Sequence, residues 1–148
     1  MMKSLFAALV ACVSLASCKS ENKLAPPAEN LIPYRNEIVD LSSYEGVYQI
    51  GGSVVGVGAS PDAFYILAKK VSGEGEEKKF RSMLKDSNSA VRIMGLVCLA
   101  KHGLDIPILE GDDAEVLALP TGCTGMQISV EEFSKLLRDD TSFRAGFL

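Results

Sequence analysis

Apolar positions from residue 60 onward fall at helical spacing. Phe64, Leu67, Ala68 and Val71 recur at three- and four-residue steps, which puts them on one face of a helix. Ser60-Pro61-Asp62 supplies a start: Ser60 as N-cap, Pro61 at the first position, Asp62 in the first turn. Gly73 and Gly75 supply the stop. A second helix is predicted from about Glu76 to Lys85, with Phe80, Met83 and Leu84 as its apolar face. A third is predicted from about Ser89 to Lys101 and closed by Gly103. Between Ile93 and Ala100 it has no charged residue, and a helix that is apolar nearly all round is buried by several neighbours. Ser129 opens a last helix, with Glu132 three residues on as a capping box and Val130, Phe133, Leu136 and Leu137 facing inward.

Before and between these helices the pattern changes. Val47–Ile50 and Val54–Val57 are β-rich runs separated by Gly51-Gly52-Ser53, which predicts a short hairpin. Residues 104–128 are irregular, with Pro107, Pro120 and the acidic run EGDDAE, and Val116–Leu119 reads as a short strand within them. From Lys19 to Pro33 three prolines and few apolar residues predict an extended tether.

The first residues follow another logic. Lys3 precedes a charge-free stretch, Ser4 to Ser17, that is shorter than the ~20 residues of an ordinary membrane span and suits the apolar core of a secretory leader. It ends in Leu15-Ala16-Ser17-Cys18, after which the chain turns polar. This resembles the lipobox of bacterial lipoproteins. The resemblance implies that the Cys18 thiol receives a diacylglyceryl group, that a peptidase cuts before it, and that the new amino group is acylated, typically with palmitate. It implies a cell-envelope location. Lys19 stands where an Asp favours inner-membrane retention in enterobacterial lipoproteins, so the periplasmic face of an outer membrane is favoured if the organism has one. Small side chains at Ala16 and Ser17 let a peptidase hold the backbone closely.

A second resemblance lies in Met83 to Leu99, MLKDSNSAVRIMGLVCL, which is similar to a HEAT-type helical repeat. Leu84, Asp86, Val91, Arg92, Leu96 and Leu99 stand at the family's positions. Where the family has Ala after Val-Arg this chain has larger residues, with Gly95 nearby as the small contact. Leu136 to Leu148, LLRDDTSFRAGFL, echoes the same pattern with Leu137, Asp139 and Phe143-Arg144. The resemblance implies a mainly α fold: a short stack of HEAT-like hairpins with a minor β element and a long irregular insertion at 104–128. The expected organisation is a removed leader at 1–17, a lipidated tether at 18–33 and one helical domain at 34–148.

Composition narrows the chemistry. The 148 residues carry 19 acidic and 15 basic side chains, a net charge of −4, which gives no sign of nucleic-acid binding. Loss of Lys3 with the leader makes it −5. GGSVVGVGAS lacks the Gly-Lys-Ser/Thr ending of a phosphate loop and the G-x-G-x-x-G spacing, and reads as a structural turn. Glu110, Asp112, Asp113 and Glu115 lack the regular offsets of a calcium loop and read as a solvated acidic loop. His102 stands alone at a helix C-terminus without a zinc pattern. Asp86 and Arg92 read as struts that tie a turn to the adjacent hairpin by charge-assisted hydrogen bonds. Cys12 leaves with the leader. Cys98 and Cys123 are either a disulfide, which an exported protein would permit, or a buried small residue and a free thiol. No catalytic residue, metal or cofactor is expected. The expected function is a non-enzymatic interaction or scaffold module, held at the membrane by its lipid anchor and bound to a protein partner. The alternative is a small-ligand or peptide-binding lipoprotein that uses the Gly-rich segment and the 104–128 loop.

Overall fold

The computed structural model describes residues 32, 34–41, 43–44 and 46–148. The leader, the lipobox and most of the tether lie outside the described residues. The elements run in the order α1 (Arg35–Val39), β1 (Ser43–Tyr44), β2 (Val47–Gly51), α2 (Ala63–Glu74), α3 (Glu77–Met83), α4 (Ser89–Lys101), β3 (Glu115–Leu119), β4 (Met126–Ser129), α5 (Val130–Asp139) and α6 (Thr141–Phe147). The strands form one mixed sheet in the order β1-β2-β3-β4. β2 and β3 are parallel, with Tyr48 opposite Val116 and Gly51 opposite Leu119, and the outer pairs are antiparallel.

The core is built around α4. Every residue from Ile93 to Ala100 is buried, and α4 packs on α1, α2, α3, α5, β2 and β3. A helix without a polar face needs such cover on all sides. Asn88 caps its first turn, its Oδ1 accepting from the Ala90 and Val91 amides at 2.9 and 3.3 Å. The core also takes in Ile32, one of the residues that the sequence assigns to the tether. Phe133, Phe143 and Phe147 join α5 to α6 with ring centroids 5.2–5.3 Å apart.

This is an α/β fold, which corrects the expectation of a mainly α stack of HEAT-like hairpins. The sheet explains the difference. It covers the side of α4 where a further stacked hairpin would pack, and α2, α3 and α4 together form the crossover between the parallel strands β2 and β3. The likeness between the two repeat-like stretches survives only locally. Arg92 Nη1 donates to the Asp86 and Ser87 carbonyls at 2.8 and 2.9 Å. Arg144 likewise donates through Nε to the Leu137 carbonyl at 2.7 Å and through Nη2 to the Arg138 carbonyl. Arg92 thus takes carbonyls of the turn between α3 and α4, and Arg144 takes last-turn carbonyls of α5, which a helix end leaves without helical partners.

Two local expectations also change. The strand Val47–Ile50 forms, but its hairpin partner does not. β2 pairs with β1 and β3 instead, and of Val54–Val57 only Val55 makes bridges, to Ser60 and Gly122. The reason is close backbone approach at Gly52. A Cβ there would lie 2.2 Å from the Pro120 carbonyl oxygen and 2.3 Å from that of Gly146, so these residues serve packing rather than a turn. The cap of α2 is Asp62, not Ser60: its Oδ1 accepts from the Phe64 amide at 2.8 Å, and Gln49 Nε2 donates to Oδ2 at 2.9 Å.

Candidate functional site

The turn between α3 and α4 holds the densest polar network. Arg35 Nε and Nη2 donate to the two Asp86 carboxylate oxygens at 2.7 and 3.1 Å, and the Asn88 amide donates to Oδ1 at 2.8 Å. Asn88 Nδ2 donates to the Tyr48 hydroxyl at 2.7 Å, which itself donates to the Val39 carbonyl at 3.2 Å. Arg92 grips Asp112 with Nε and Nη2 at 2.6 and 2.8 Å. Burial opposes ionisation of Asp86, but hydrogen bonds from Arg35 and Asn88 and the charges of Arg35 and Arg92 outweigh it and hold the carboxyl below its ordinary value.

Asp86 and Arg92 thus join the turn to its surroundings, but not to each other's side chains. Asp86 holds α1, and Arg92 holds the turn carbonyls and the acidic segment before β3. Val91 is buried, and Leu84 packs beside Gly95. The sequence reading missed Arg35, Tyr48 and Asn88, whose partners lie 40 or more residues away. It also took Asp112 for part of a solvated run. Among the described residues, every buried side-chain polar atom has a hydrogen-bond partner. The network has the satisfied geometry of a scaffold.

The remaining chemistry-bearing residues are scattered. Cys98 is buried and Cys123 is exposed, and both are free thiols, so the structure does not bring the candidate disulfide together. Cys98 Sγ faces the Ala68 carbonyl inside the helical layer, whereas Cys123 sits on the outer 120–125 turn. Burial pushes the Cys98 thiol up to about 12, which keeps it protonated and unreactive. His102 closes α4, with Nε2 at 3.0 Å from the Ser72 carbonyl and its ring on Phe80. Glu131 accepts from the Gly111 amide at 2.7 Å, which ties the acidic loop to α5.

Two surfaces among the described residues bear on binding. The first is an apex at the carboxyl ends of β2 and β3. Gly52 donates to the Leu119 carbonyl, Ser53 to that of Gly146, Gly56 to that of Gly122 and Gly122 to that of Val54, each at 2.9 Å. The Gly-rich segment and the 120–125 turn are thereby laced into one unit, and Val54 and Val57 project from it at 46% and 99% exposure. The second is a groove of about 680 Å³ along α3. Ile32, Leu84, Pro107 and Leu109 supply its apolar lining, and Lys78, Arg81 and Lys85 supply its cations. These basic residues are spaced i, i+3, i+7, a signal present in the sequence but not used.

No family model, curated protein or solved structure matches this chain. Among the described residues, no helix is long and apolar enough to cross a membrane.

Proposed function

We propose that the chain is an envelope-anchored lipoprotein whose folded part is a non-enzymatic module that binds another protein through its apex. The observation that carries the binding reading is the exposure of Val54 and Val57 on a unit fixed by four backbone hydrogen bonds. Apolar side chains held rigidly in solvent suit a partner surface, because little conformational freedom is lost when they are covered. The anchoring half of the proposal rests on Leu15-Ala16-Ser17-Cys18 and the apolar stretch before it. Two or three acyl chains at Cys18 would hold the protein stably, since each buried CH₂ contributes ~0.8 kcal/mol. In a cell with two membranes, Lys19 favours the periplasmic face of the outer one.

A second reading has its own support. The Gly-rich segment and the 104–128 loop, which the small-ligand or peptide alternative invokes, are hydrogen-bonded to each other through Gly122. A peptide laid across them would meet both exposed valines.

Cross-linking in intact cells followed by capture and mass spectrometry separates these readings. The adaptor reading expects one dominant protein, lost in the Cys18→Ala variant. Capture without a reproducible protein would sink it in favour of the ligand reading. The same variant tests the anchor: Cys18→Ala should accumulate as an unprocessed precursor that takes up no labelled palmitate. Normal processing of that variant would refute the lipobox.

A further inference from the structure

We propose that the groove along α3 is a second membrane contact, in which Lys78, Arg81 and Lys85 take the phosphates of anionic phospholipid headgroups against an apolar lining. This rests on Cys18 carrying lipid.

Lys78 and Arg81 share one face of α3 at positions i and i+3, and Lys85, in the turn that follows Met83, lines the same groove. Their charge is largely unspent. The Lys78 and Lys85 ammonium groups have no partner among the described residues, and Arg81 gives only Nε to Glu77, at 2.7 Å. The chain as a whole is acidic, yet residues 63–85 carry six basic side chains against three acidic ones. One carboxylate lines the groove, that of Asp86, and it is taken up by Arg35; farther along the chain, Asp105 acts on Arg138 and Glu110 on Lys135, both on α5.

The position of the groove selects the occupant. Ile32 lines it, so the chain enters the fold at this face. Cys18 lies 14 residues earlier, a stretch that spans at most about 50 Å when fully extended. An anchored Cys18 therefore holds the bilayer at high effective concentration beside Lys78, Arg81 and Lys85. The apex lies at the other end of α4. Asn88, the N-cap, binds Tyr48 beside the groove's turn, whereas Lys101 in the last turn donates to the Leu148 carbonyl, next to the Gly146 that packs on Gly52. The 13 residues of α4 separate the two ends by about 20 Å. With the groove on the membrane, the apex that carries the valines lies toward the far end of α4.

The test uses the mature chain with its lipids, in nanodiscs of phosphatidylcholine with or without phosphatidylglycerol. Intact mass first reports whether Cys18 is acylated. Amine labelling read by mass spectrometry then compares Lys78 and Lys85 with Lys135 on α5. The expected result is severalfold protection of Lys78 and Lys85 only with phosphatidylglycerol, reversed by salt. Equal labelling in both discs overturns the proposal, as does protection that appears only when a partner protein is added. If the intact mass shows no acyl chains, the anchor reading fails separately. Sedimentation of the unacylated chain with phosphatidylglycerol vesicles then decides the groove. Each cation near an anionic surface multiplies partitioning about fivefold, so K78E/R81E/K85E, which removes three and adds three anions, should lower it by at least about a hundredfold. Sedimentation that is absent, or unchanged by those substitutions, overturns the proposal.

Discussion

Asp86 carries two kinds of bond, and each makes a prediction. Its carboxylate is held below the ordinary value by Arg35, Asn88 and Arg92 against the cost of burial. The unfolded chain therefore binds this proton more readily than the folded one. The stabilisation is complete above the unfolded carboxylate value of ~3.9 and is lost as pH falls through the lower folded value. Melting temperature followed from pH 6 downward should drop as the solution becomes more acidic than pH ~4, and Asp86→Asn should flatten that part of the curve. Equal slopes in wild type and variant would remove Asp86 from the acid transition. Arg92 is the second case. Its side chain and that of Asp112 are 13% and 16% exposed, so neither charge is well hydrated without the other. Truncation orphans Asp112 and two turn carbonyls together. Arg92→Ala should cost about 2–3 kcal/mol, between the values for exposed and buried pairs. Thermal or urea unfolding measures it, and a variant that keeps its stability but loses partner capture would make Arg92 part of a site.

At the scale of elements, Gly95 shows how packing overrides local propensity. It lies mid-way along α4, where Ala would ordinarily gain about 1 kcal/mol. Here a Cβ would stand 2.8 Å from the Phe80 carbonyl oxygen and 3.0 Å from Met83 Cβ and Leu84 Cδ2. The nearest obstacle is backbone, so α3 has to move. Gly95→Ala should therefore destabilise by about 1–2 kcal/mol net, since overpacking costs about 1–3 kcal/mol; a rise in unfolding midpoint would show that α3 yields freely. Helices α2 to α5 were legible because their signals are local: the cap Ser129, the apolar run of α4, and the stop at Gly75 all lie within a few residues of what they control. The strands Val47–Gly51 and Glu115–Leu119 were legible one at a time. Their pairing was not, because parallel strands joined by a long crossover leave no turn signature, and Gly51-Gly52 imitates a hairpin turn. The Asp86 and Arg92 struts were read from a repeat-like pattern, but their partners Arg35 and Asp112 come from segments that only the folded chain brings near. The apex escaped for the same reason: Gly56 and Gly122 meet across 66 residues of sequence.

For the whole molecule, the two open surfaces make separable demands. The groove is fixed by α3 and the 107–109 segment, and the apex by the ends of β2, β3 and α6. Substitutions this far apart, with no shared partner, should act additively. Val57 is 99% exposed, so Val57→Asp removes no packing and should change stability by no more than about 0.5 kcal/mol. A carboxylate at the centre of an apolar contact would nonetheless oppose docking, because it must be desolvated without a partner. Val57→Asp should therefore abolish capture of the cross-linked protein and leave the labelling of Lys78 and Lys85 in nanodiscs unchanged. Charge reversal at Lys78, Arg81 and Lys85 should first weaken the membrane contact. It should lower capture only as far as a freely tumbling domain presents its valines to the partner less often. Capture and lysine protection, measured in the two variants and in their combination, give the coupling directly. Additive effects mean a domain that reads the bilayer with one end and its partner with the other. Loss of both readouts from Val57→Asp alone would mean that partner binding sets the orientation, and the groove would then follow the apex.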